Sequence, residues 1–175
     1  MTPPEGKARL IIFAGLPGSG KTTLARALAE RLRAVHLRID TIEQALRHAG
    51  ITDGEIGPAG YMAAYELAAD NLRNGLSVIA DSVNPLPVSR DAWRAVAERL
   101  AVDAVEIEIT CSDAAEHRRR VETRRADITG LVLPSWQDVA TRDYAPWSRP
   151  RLVVDTAGKS IVACLDEIVA RLKRQ

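Results

Sequence analysis

A chain of 175 residues, 46% hydrophobic and 27% charged, is long enough to bury a sizeable core and has an ordinary globular composition. A formal charge of +1 gives no support for a long nucleic-acid track or an anionic membrane surface, and no apolar run approaches a membrane span. With no repeat and no low-complexity linker, one domain over 1–175 is expected.

Residues 1–8 read as a flexible leader without the apolar core of a signal peptide, which points to the cytoplasm. An apolar run over 10–14 predicts a strand. The segment Gly15-Leu16-Pro17-Gly18-Ser19-Gly20-Lys21-Thr22-Thr23 follows it as G-x-x-x-x-G-K-T. A helix over 21–33 comes next, its Leu24, Leu28 and Leu32 forming an apolar stripe. A short strand over 35–39 ends at Asp40, and Asp40-Thr41-Ile42-Glu43 has the form of a capping box opening a helix to about His48. A glycine-containing loop over 50–60 precedes a helix over 61–74, stopped at Asn74-Gly75. The strand over 76–80 terminates at Asp81-Ser82. A proline-punctuated loop then leads to an amphipathic helix over 89–100.

Residues 102–110 alternate Val105, Ile107 and Ile109 with Glu106 and Glu108, which predicts a strand with one wetter face. Ser112 or Asp113 caps a helix through the basic segment 117–125. A mobile loop over 126–134, a short helix over 135–144, a loop over 145–150, a strand over 151–155 and a helix over 160–173 complete the chain. Strands alternating with helices imply an α/β fold, a parallel sheet covered on both faces with ligands at the carboxyl ends of its strands. Gly15, Asp40 and Asp81 each follow a strand, so they converge on one edge.

The residue types there fit phosphate chemistry. Gly15, Gly18 and Gly20 let successive N–H groups turn inward as an anion nest at a helix N-terminus. Lys21 then reaches the β- and γ-phosphates, and the Thr22 hydroxyl ligates Mg²⁺. Asp81, closing an apolar strand, is a second Mg²⁺ ligand or else a turn residue. Asp40 serves as general base toward an acceptor hydroxyl, as a helix cap, or as both. Arg120 and Arg124, four apart on one helical face before a loop, suit a lid that clamps phosphates and excludes water, whereas Arg118, Arg119 and Arg125 fit a solvated surface.

Asn84 and Arg90 are candidates for acceptor contact or for local capping. Trp136, Tyr144 and Trp147 divide evenly between core and ligand platform. His36, His48 and His117 have no partner spacing and read as surface or packing residues, and Cys111 and Cys164 as two buried reduced thiols.

From the glycine loop through Asp40, I-A-D-S-V-N at Ile79 and R-V-E-T-R at Arg120–Arg124, the chain resembles the small P-loop kinases. These are the zeta-toxin-like and polynucleotide-kinase-like phosphotransferases, with chloramphenicol phosphotransferase among them. The resemblance implies a P-loop NTPase three-layer αβα sandwich with a five-stranded parallel sheet in 2-3-1-4-5 order and a mobile lid over about 118–134. It implies ATP and Mg²⁺, a base at Asp40, lid arginines at Arg120 and Arg124, and a 155–159 loop near the adenine. Members commonly carry arginine three residues after the aspartate, where this chain has Glu43. Either Arg38 or Arg47 substitutes, or the acceptor lacks the anionic group.

The expected activity is ATP- and Mg²⁺-dependent phosphotransfer to a hydroxyl of a small-molecule or nucleotide-like acceptor. The alternative is a nucleotide-binding regulatory module or weak ATPase. No N-K-x-D guanine signature occurs, and long nucleic acid is disfavoured by the charge.

Overall fold

The computed structural model describes residues 7–51 and 56–174. The expected leader therefore lies almost wholly outside the described residues, as does part of the 50–60 loop. Five parallel strands are β1 (Arg9–Ala14), β2 (Val35–Arg38), β3 (Val78–Asp81), β4 (Asp103–Thr110) and β5 (Leu152–Asp155). They lie in the order β2-β3-β1-β4-β5, the 2-3-1-4-5 arrangement expected. The helices are α1 (Lys21–Leu32), α2 (Ile39–His48), α3 (Ala59–Arg73), α4 (Pro87–Leu100), α5 (Ala114–Thr123), α6 (Trp136–Ala140) and α7 (Ile161–Leu172).

The unbroken apolar run of β1 follows from its central place, where both faces of a parallel sheet are covered. Side chains alternate across it. Ile11 and Phe13 pack with Leu24 and Leu28 of α1 and Ile168 of α7. Leu10 and Ile12 face the other way, onto Ala64 and Ala68 of α3 and Trp93 of α4. Phe13 is in register with Asp81 and Asp81 with Arg38, so three strands end level with one another. That levelling puts the glycine loop, Asp81 and the start of α2 on one rim.

Several expectations are corrected by the structure. There is no capping box at Asp40: β2 passes straight into α2, whose N-cap is Arg38 without a side-chain cap bond. Burial of Ile39 in the core starts the helix at once and leaves Asp40 inside its first turn. Arg120 and Arg124 do not share a helical face, because α5 stops at Thr123 and Arg124 is extended (φ −64, ψ 148). The helix expected over 135–144 ends at Ala140. Cys164 is buried as expected, but Cys111, just past the end of β4, is only half-buried.

Glu106 and Glu108 do not line a wet face either; both are buried. The chain returning over 141–150 covers them. Arg149 binds both Glu106 oxygens (2.7 and 2.6 Å) and also reaches Asp91, while Arg151 holds Glu108 at 2.6 and 2.8 Å. A buried carboxylate stripped of its partner is costly, so Arg149→Ala is expected to lower unfolding free energy by about 1.5–3 kcal/mol. Urea denaturation checks this.

Candidate active site

The glycine loop is built from conformations that only glycine takes easily. Gly15 has φ +139, its N–H donates to the Val83 carbonyl at 3.1 Å, and a Cβ there would lie 2.2 Å from the Ile109 carbonyl oxygen. Gly18 (φ +83) lies so close to α5 that a Cβ would meet Val121 at 2.5 Å. The same approach lets His117 Nε2–H donate to the Pro17 carbonyl at 2.8 Å, its ring edge-on to Trp136 at 5.3 Å. Gly20 caps α1, the Leu16 carbonyl accepts from Ser19 N–H at 3.2 Å, and Ser19 is buried. His117 is thus a buttress of the loop, a role without sequence spacing because its partner is 100 residues away.

Buried Lys21 extends to Asp81, Nζ to carboxylate 3.8 Å, and His36 Nε2–H donates to the other Asp81 oxygen at 3.1 Å. Burial pushes the Asp81 pKa up, but Lys21, His36 and the Thr22 hydroxyl outweigh it and hold the carboxyl below the usual range. His36 was missed because its partner arrives from β3, 45 residues on. A folded-state pKa below the unfolded one adds stability above the ordinary aspartate value, and that stability is lost as pH falls through the depressed value. Asp81→Asn is therefore expected to lose part of the acid limb of the melting-temperature profile, read by calorimetry across acid pH.

Two cavities adjoin at this rim. One, of about 440 Å³, is lined by Gly18, Gly20, Thr23, Arg120, Thr156 and Lys159. Arg120 donates to the Thr156 hydroxyl (2.7 Å) and carbonyl (3.1 Å) and pairs with Glu116 at 2.6 Å. The 155–159 loop thereby lies against the glycine loop, with the Thr156 hydroxyl 2.8 Å from the Ser19 carbonyl. The other cavity, of about 660 Å³, has a polar wall of Arg38, Asp40, Glu43 and Arg47 and an aliphatic wall that includes Val88 and Val132. Lys21, Thr22 and Arg124 line both. Burial lowers the Arg124 pKa, partly offset by Asp40, and its buried Nε has no hydrogen-bond partner.

The 126–134 segment lines the larger cavity with Gly130, Leu131, Val132 and Pro134. Its Asp127 pairs with Arg26 at 2.9 Å and Arg38 at 2.8 Å, and Gly130 lies so near α2 that a Cβ would be 2.9 Å from Gln44 Nε2. Asn84 and Arg90 act on the frame. Asn84 donates to the Phe13 carbonyl at 2.8 Å. Buried Arg90 bonds the Asn84, Pro85, Ala145 and Pro146 carbonyls and stacks on Trp147 and Tyr144, which turns those two rings to structure.

The AAA_33 profile (AAA domain) matches residues 10–141, more than half of the chain, and so takes in the glycine loop, Asp40, Asp81, Arg120 and Arg124 but not Tyr144–Trp147 or the 155–159 loop. The chain belongs to the AAA_33 family. An adenylyl-sulfate kinase from Synechococcus sp. (strain JA-2-3B'a(2-13)) is 25% identical over 170 residues, 92% of this chain and 92% of its own. The Mycobacterium tuberculosis APS kinase CysC in complex with AMPPNP and APS matches with TM-score 0.68 at 21% identity, over 95% of this chain and 98% of that one. A gluconokinase from Sinorhizobium meliloti 1021 matches with TM-score 0.65 at 19% identity, over 99% and 94%. These last two carry the fold alone, a three-layer α/β arrangement. This AAA_33 member is a P-loop kinase, an ATP-dependent phosphotransferase, as its resemblance to that group implied.

Proposed function

We propose that this kinase moves the γ-phosphoryl group of ATP, taken with Mg²⁺, to a hydroxyl of a small-molecule or nucleotide-like acceptor in the cytoplasm. The observation that carries the reading is the pair of cavities meeting at Lys21, Thr22 and Arg124, with Asp40 lining only the larger and Arg120 only the smaller. The smaller is the donor site and the larger the acceptor site.

In this reading the glycine loop from Gly15 to Thr23 cradles the phosphates through its N–H groups. Asp40 orients the acceptor hydroxyl and takes its proton as the oxygen bonds to the γ-phosphorus and the bond to the β-phosphate oxygen breaks, releasing ADP. Lys21 and Arg124, at the junction, stabilise charge spread over the transferring group, and Arg120 faces the donor phosphates from the side. Asp81, a buried carboxylate beside the Thr22 hydroxyl, offers the hard oxygens that suit Mg²⁺. When bound, that ion neutralises phosphate charge.

The substitute for the missing arginine at position 43 is best sought in Arg47. Arg38 is taken up by Asp127 and Asp40, while Arg47 and Arg142 line the acceptor cavity and form no ion pair among the described residues. An acceptor carrying a negative group matches that surplus. No helix among the described residues is long and apolar enough to cross a membrane.

The test is ADP release from Mg²⁺·ATP with pooled hydroxyl-bearing metabolites. Release that rises with one pool is expected. The same slow release with every pool would favour the regulatory-module alternative.

A further inference from the structure

The 126–134 segment could lie over the acceptor cavity by packing alone, but its ion pairs have a more specific arrangement. Arg38, at the last position of β2, has a side chain only 12% exposed. Its Nη1 donates to both Asp127 oxygens at 2.8 Å, and its Nη2 donates to Asp40 at 3.3 Å. One guanidinium therefore holds a carboxylate of the lid and the carboxylate of α2 that faces the acceptor. Asp127 is held from a second side by Arg26 of α1 at 2.9 Å. The three elements α1, β2 and the lid meet at that one carboxylate. Asp40 has Arg38 as its only ion-pair partner among the described residues.

We infer that Arg38 is a positioning residue that couples lid closure to the orientation of Asp40, with Asp127 as the latch. The inference rests on Asp40 acting as the base. With Asp127 seated, the guanidinium plane is fixed by a two-oxygen contact, and its remaining Nη holds Asp40 in one orientation at the acceptor side of the junction. With the lid raised, Arg38 loses that contact and swings with its own rotamer freedom, and Asp40 loses its fixed partner. The base is then competent chiefly when the cavity is shut. A shut cavity also excludes water, so proton abstraction is confined to the state in which an acceptor rather than water meets the γ-phosphoryl group. Lid closure in this arrangement assembles the base as well as covering the substrate.

The experiment compares wild type with Asp127→Asn, Asp127→Glu, Arg38→Lys and, as a control, Arg118→Ala, which removes only an exposed i,i+4 pair with Glu122. Amide hydrogen exchange over 124–131 is measured with Mg²⁺·AMPPNP. Phosphate transfer from ATP is measured with a panel of short polyols, sugar acids, nucleosides and adenylyl sulfate. Asp127→Asn and Arg38→Lys are expected to speed lid exchange and to lower kcat, each roughly tenfold or more, with KM for ATP unchanged. Asp127→Glu is expected to recover most of both, and Arg118→Ala to match wild type.

Unchanged lid exchange in Asp127→Asn, or faster exchange with undiminished kcat, overturns the coupling. If no panel member accepts phosphate, exchange alone decides: equal exchange in Asp127→Asn and wild type overturns the latch. Asp40→Asn is run alongside. Full transfer by that variant removes the base assignment, while the exchange result still reports on the latch, so the two failures are told apart.

Discussion

Asp40→Asn is expected to lower kcat for phosphate transfer by about 10²- to 10⁴-fold, the usual worth of a positioned general base, and to leave ATP affinity unchanged. Asparagine has nearly the same shape but cannot take a proton. Nothing else about the site should move, since Asp40 is half-buried, caps no helix and does not line the smaller cavity. Arg38 keeps its contact with Asp127. The substitution therefore separates proton transfer from folding and from nucleotide binding. Rapid-quench kinetics alongside calorimetric titration of ATP would show the split, and an unchanged kcat would withdraw the role assigned to Asp40.

The second large effect is structural and falls on the glycine loop. Gly15→Ala places a methyl 2.2 Å from a backbone carbonyl of β4 at a φ of +139. The obstacle is main chain, so no side-chain rotation relieves it. Strain at such a φ costs about 1–3 kcal/mol and overpacking about as much again, which gives a loss of roughly 2–6 kcal/mol. Relief requires the loop to lift off β4, which would also break the Gly15 N–H bond to Val83. The expected results are a large fall in melting temperature and loss of ATP binding. A variant that kept wild-type ATP affinity would show that the loop tolerates displacement.

The glycine loop was legible in the sequence because its signals are local. A glycine loop, a lysine and a threonine follow one another, and the apolar run before them needs a sheet centre to bury it. Asp81 was legible for a similar reason, standing at the end of an apolar strand. What the sequence hid depends on partners distant along the chain. His36, His117 and Asp127 reach Asp81, Pro17 and Arg38 across 45, 100 and 89 residues, and no spacing rule marks such pairs.

Glu106 and Glu108 were misread as solvated because alternation shows which face they share but not what covers it. The answer lay in Arg149 and Arg151, 43 residues later. The supposed cap at Asp40 failed on a boundary. Burial of Ile39 shifted the helix start by two residues and left the aspartate in the wall of the larger cavity.

Phosphoryl transfer from the smaller cavity to the larger is open to direct test. The most direct measurement incubates the protein with Mg²⁺·ATP and a metabolite library and looks by mass spectrometry for a compound that gains one phosphate. Such a product is expected, formed in step with ADP and at least about a hundredfold more slowly with Asp40→Asn even though that variant still binds ATP. ATP turned over at one rate whatever is added, with inorganic phosphate as the sole product, would contradict it.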